Sequence, residues 1–81
     1  MRKKVDSMLD NLKERPDAGD HIRRNLWPRT GAYAGVNNLW RYDIDRVKRA
    51  TYTLIRKGDR LTVLVIEVFA DHKIYERRFG Y

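Results

Sequence analysis

Residues 2–15, RKKVDSMLDNLKER, place Val5, Met8, Leu9 and Leu12 at i, i+3, i+4 and i+7, with Arg, Lys, Asp and Glu elsewhere. That is the spacing of one helical face, so the segment is predicted to be an amphipathic helix that needs an apolar surface beneath it. Pro16 ends it, and the stretch PDAG reads as a stop and turn. Further along, the period changes to two. NLWRYDI at 38–44 and RATYTLIR at 49–56 are rich in β-branched and aromatic residues and flank the polar DRVK, which predicts a β-hairpin. Gly58 and Asp59 make the next turn, and LTVLVIEVF at 61–69 is apolar on both alternating faces. This predicts that 61–69 is the central, doubly covered strand, with the N-terminal helix over one face.

Two segments carry weaker patterns. Residues 17–37, DAGDHIRRNLWPRTGAYAGVN, have Ile22, Leu26, Trp27 and Tyr33 as scattered anchors, and predict a long connection with one short turn of helix. Arg23, Arg24 and Arg29 put cations on it, and long connections in small domains are often functional. Residues 71–81, DHKIYERRFGY, begin with a turn at Asp71–Lys73 and run into a short final strand or helix. No repeat, low-complexity tract or linker interrupts the chain. The expected fold class is α+β: a single domain over 1–81, with a small twisted antiparallel sheet of three to four strands and one amphipathic N-terminal helix packed on one face.

Length and composition then narrow the setting. A domain of 81 residues buries only about 60–65% of the surface its unfolded chain exposes, so its core is thin and a partner would add stability. With no cysteine, neither disulfides nor a thiolate zinc cluster can reinforce it, and the cytoplasm is the default location. The longest apolar run, LTVLVIEVFA, contains Glu67 and is far shorter than the roughly 20 residues of a spanning helix; neither a membrane segment nor a signal peptide is expected. Eighteen Lys and Arg against eleven Asp and Glu give a net charge of +7 and a pI near 10. Such a surface attracts polyanions, nucleic acid first and an acidic protein second.

The same residues limit the chemistry. Two distant histidines without cysteines or clustered carboxylates give no metal-ligand set, and no Gly-rich run opens onto a helix to cradle a nucleotide. No cofactor is expected. What remains is a concentration of cations, His and Tyr: Arg41, Lys48 and Arg49 in the first hairpin, then Asp71, His72, Lys73, Tyr75, Arg77 and Arg78 after the last long strand. In an antiparallel sheet the end of the third strand lies near the start of the second, so the two groups can converge. RNA cleavage without metal needs a base for the 2′-hydroxyl, cations for the phosphate and an acid for the leaving oxygen. His, Tyr, Lys and Arg supply all three, with positioned acid–base groups worth about 10²–10⁴-fold. Singly, each has a structural explanation: a local turn hydrogen bond between Asp71 and His72, and packing for Tyr75, Phe79 and Tyr81. Trp27 and Trp40 read as core anchors, and His21 has no assigned role.

Taken together, Asn38–Tyr42 (NLWRY), Arg49–Thr53 (R-x-x-Y-T) and His72–Tyr81 (H-K-x-Y-x-x-x-F-G-Y) resemble the RelE-like branch of the RelE/ParE superfamily of type II toxin–antitoxin toxins. The exit of the first helix, with Lys13, Pro16 and Gly19, is similar to the family's Lys-x-x-Pro-x-x-Gly. The resemblance implies a twisted antiparallel sheet with packed helices, and an antitoxin partner whose C-terminal segment wraps the toxin. It also implies metal-independent cleavage of mRNA on the ribosome, with higher-order toxin–antitoxin assemblies as a further form. By position it implies that Arg49 contacts the scissile phosphate, that His72 and Lys73 form the His–basic pair, and that Tyr75 or Tyr81 is the functional tyrosine. Arg41, Lys48, Arg77 and Arg78 are expected to hold RNA. Relatives usually begin with a further strand and helix, so the chain is expected to be shortened at its N-terminus and to leave a sheet edge unpaired. Val47 stands where relatives often have Gly, which predicts a different turn or a slipped register. Two alternatives share the fold: a ParE-like gyrase inhibitor without catalysis, and an inactive shortened toxin kept as a binding module.

Overall fold

The first apolar face folds as its spacing predicts. In the computed structural model, which describes residues 2–28 and 31–80, helix α1 (Arg2–Glu14) buries Met8 and Leu12 completely. Arg29 and Tyr81, singled out above, lie outside the described residues. Pro16 lacks an amide hydrogen and disfavours helical geometry at the preceding residue, so the helix stops one residue short of Arg15.

Four strands follow in a meander: β1 (Asp20–His21), β2 (Trp40–Asp43), β3 (Arg49–Lys57) and β4 (Arg60–Phe69), antiparallel and in the order β1-β2-β3-β4. The connection from β1 to β2 holds a 3-10 turn (Arg24–Leu26) and a short helix α2 (Gly31–Ala34), and β4 leads into α3 (His72–Phe79). The architecture is therefore α+β, a four-stranded antiparallel sheet with helices. Two-residue alternation divides its core. Met8 and Leu12 pack with Ala50 and Tyr52 on one face, while Ile22, Tyr33, Leu39, Phe69, Tyr75 and Phe79 form a second cluster. Helices thus contribute to both clusters, where the sequence predicted one helix packed on one face.

The sheet order corrects a second expectation. The buried central strand is β3, from Ala50 to Thr53, and β4 lies at the edge. Leu61, Leu64 and Val68 of β4 are 40%, 49% and 40% exposed. An apolar run cannot reveal its own neighbours, whereas β3 can occupy the centre because its hydroxyls find partners there. The Thr51 hydroxyl meets the Tyr33 hydroxyl at 3.0 Å, and Thr53 donates to Asn38 Oδ1 at 3.1 Å. Strand β1, which the sequence did not predict, covers the outer side of β2; among the described residues no strand pairs with the outer side of β4.

In the first hairpin Asp43 stands opposite Arg49. Its turn is organised by Asp45, whose Oδ1 accepts the amides of Val47 at 2.8 Å and Lys48 at 2.7 Å. No described non-glycine residue has a positive φ, so Val47 is unstrained. An irregularity falls between β3 and β4, where Thr51 pairs with Glu67 but Tyr52 with Val65. This leaves Ile66 as an extra residue, and the bulge aligns Glu67 and Phe69 with the face of Thr51 and Arg49.

Candidate functional site

Alternation along β2 and the hairpin register put Arg41, Asp43 and Arg49 on one face of the sheet. The bulge then sets Phe69 opposite Arg49. A turn later α3 begins, capped by Asp71, whose Oδ1 accepts the amides of Lys73 at 2.6 Å and Ile74 at 3.2 Å. The chain leaves α3 through Gly80 at φ 77°. Between these ends Tyr75 is pressed onto the sheet: its ring meets Phe69 edge-on at 5.4 Å and stacks on Phe79 at 4.5 Å.

Both strand arginines lie over that ring. The guanidinium carbon of Arg49 is 5.4 Å from the Tyr75 centroid and that of Arg41 is 5.9 Å away. Asp43 lies between them, its Oδ1 3.2 Å from each Nε. Arg41 also donates from its terminal nitrogen to Asp20 Oδ2 at 2.9 Å. The two Nε atoms are buried and near Asp43 in distance, but not aligned for hydrogen bonding. These two contacts are therefore Coulombic. Burial works against the Arg41 charge, yet hydrogen bonding with Tyr75 and the carboxylates of Asp43 and Asp20 outweigh it, holding the group above the ordinary arginine range.

The sequence-predicted residues separate accordingly. Arg41, Arg49 and Tyr75 are brought together. Tyr75 is 2% exposed, and its ring packs against both arginines. His72 is exposed at the first position of α3, three residues before Tyr75 and hence on the same helical face. The Asp71 carboxylate caps the helix and does not hold the His72 ring. Lys73 and Arg77 are exposed and four residues apart on a neighbouring face. Arg78 reaches Glu67 at 3.3 Å, and Lys48 lies 3.4 Å from Asp45 in the hairpin turn. Sequence reasoning missed Asp43, Asp20 and Phe69. An Arg-x-Asp alternation on β2 facing Arg49 across a hairpin was the available signal for Asp43; nothing short of the register could have found the other two.

A concavity of about 770 Å³ lies elsewhere, lined by Gly31, Gly35, Asn38, Thr53, Ile55 and Leu64 among others. It holds none of the residues gathered around Tyr75, and among the described residues Arg56 is its only ionisable lining group. The cations gathered around Tyr75 lie on the arginine face instead. No family model, no curated protein and no solved structure matches the chain, and what the face can do is set by its own geometry.

Proposed function

We propose that the chain is a RelE-like toxin of a type II toxin–antitoxin system, acting as a metal-independent endoribonuclease on ribosome-bound mRNA. The observation that carries this reading is the cross-strand pair Arg41 and Arg49 over Tyr75, with exposed His72 one helical turn away. Two fixed cations stabilise the charge that builds on a phosphate as the 2′-oxygen attacks. His72, exposed at the start of α3, takes the role of moving a proton, as base or acid. With Tyr75 buried, the motif assigns the counterpart role to Tyr81, and Lys73 and Arg77 extend the positive surface along the RNA. The net charge of +7 favours such a substrate.

The test adds the purified protein to a translating reaction and maps new mRNA 5′ ends. Cleavage that Arg49→Ala and His72→Ala both abolish supports the nuclease. Absence of new ends, with both variants arresting growth as the wild type does, sinks it. A second reading, a binding module without catalysis, is favoured by one observation: Asp43 and Asp20 place two carboxylates against the two arginines, leaving the pair locally balanced. Retained RNA binding without cleavage selects it.

A further inference from the structure

The carboxylate of Asp43 occupies the place between two arginines where an oxyanion would sit. Its Oδ1 is 3.2 Å from both Nε atoms, and its side chain is 48% exposed while those of Arg41 and Arg49 are 28% and 24% exposed. The acid therefore lies on the solvent side of the pair. Each arginine Nε–H is buried and lacks an aligned acceptor, so its donor capacity is unfilled although a charge is close. A carboxylate fixed to β2 by a short side chain cannot align with both donors. A tetrahedral phosphate arriving from solvent is free of that tether and can present separate oxygens to the two guanidinium forks.

From this we infer that Arg41 and Arg49 form a binding site for one phosphodiester group of single-stranded RNA, and that Asp43 is its internal competitor, displaced toward solvent when the phosphate binds. The inference rests on the reading of this face as the RNA site. Asp43 then sets a threshold: a single weak anion does not displace it, whereas a phosphate held by further contacts along the strand does. The residue acts on affinity through the arginines and touches no reacting atom.

The experiment measures binding of a fluorescent single-stranded 2′-O-methyl oligoribonucleotide, which the 2′-hydroxyl route cannot cleave, by anisotropy at fixed salt. Asp43→Asn is expected to tighten binding about fivefold, the size of a partly exposed ion pair removed from competition. Asp59→Asn, in the remote turn between β3 and β4, changes net charge equally and is expected to shift binding less than about twofold. In an Arg41→Ala/Arg49→Ala background the gain from Asp43→Asn disappears. Asp43→Ser repeats the measurement with a second side chain suited to an exposed strand position. A gain no larger than that of Asp59→Asn, or one that persists when both arginines are removed, overturns the inference while leaving the nuclease reading intact. If Arg41→Ala and Arg49→Ala both bind as wild type, the arginine pair is not the RNA site and both readings fall. Loss of cleavage with this binding pattern preserved removes only the nuclease.

Discussion

The amide of Gly19 donates to the Tyr52 hydroxyl at 3.1 Å, and that hydroxyl donates onward to the Pro16 carbonyl at 2.8 Å. One phenol from the buried central strand thus satisfies two backbone groups in the exit of α1. It gives the Pro-x-x-Gly spacing a physical basis: the proline ends the helix and the glycine permits the approach. A Cβ on Gly19 would lie 2.5 Å from the Arg41 carbonyl oxygen and 2.6 Å from the Tyr52 hydroxyl. Gly19→Ala is expected to destabilise the fold by about 1–3 kcal/mol, and Tyr52→Phe by about 1–2 kcal/mol. Urea denaturation of both variants checks this; a Gly19→Ala midpoint equal to wild type would show that the contact is slack.

Asn38 behaves as an extra strand residue made from a side chain. Its Oδ1 accepts the Leu54 amide at 2.8 Å and its Nδ2 donates to the Leu54 carbonyl at 2.9 Å, continuing the ladder between β2 and β3. Asn38→Asp keeps the shape but removes the donor and sets a carboxylate against a carbonyl. The expected loss is about 1–3 kcal/mol, read from thermal or urea unfolding, with Asn38→Ala losing both bonds and falling in the same range.

Acid sensitivity follows from two carboxylates. Asp45 is held well below the usual carboxylate range by hydrogen bonding to Lys4, then by the Lys48 and Val47 amides. Asp71 is lowered by the amides of Lys73 and Ile74. A depressed folded pKa contributes stability above the unfolded value and loses it as pH falls through the folded one. The urea midpoint is therefore expected to stay level from neutral pH down to about pH 5 and to decline below about pH 4, where unfolded aspartate protonates. Asp45→Asn should lower the neutral plateau and flatten the acid limb. An unchanged acid limb in that variant would remove Asp45 from the explanation.

Tyr75 separates packing from chemistry. If its ring is a platform, Tyr75→Phe keeps cleavage within about tenfold of wild type, whereas His72→Ala loses about 10²–10⁴-fold. Tyr75→Ala empties the cluster with Phe69 and Phe79 and is expected to cost about 3–5 kcal/mol. Growth arrest and unfolding measured on the three variants decide it, and a Phe variant as inactive as His72→Ala would return Tyr75 to the reacting groups.

The elements whose signal is local were legible in the sequence. Val5, Met8, Leu9 and Leu12 marked α1, the polar DRVK and the Gly58–Asp59 pair marked the two turns, and the sheet did bring Arg41 and Arg49 to one face. What depends on neighbours was not. The apolar run 61–69 suggested a central strand, but strand order is fixed by which strand can satisfy its polar groups in the middle, and Thr51 and Thr53 do so through Tyr33 and Asn38. The two-residue β1 has no pattern of its own and exists only as a partner of Arg41 and Trp40. In the site, cations were easy to find because they are numerous; the acid that faces them was hidden by its ordinary place in a polar hairpin.

Chain order gives the platform its place. The four strands and α1 precede Asp71, and Tyr75 and Phe79 come only with α3. In a chain that stops before α3 the arginines have no ring beneath them, and the cluster around Phe69 lacks two of its members. The platform beneath the arginines is thus the last piece of the described chain in sequence order, added after every strand on which it rests.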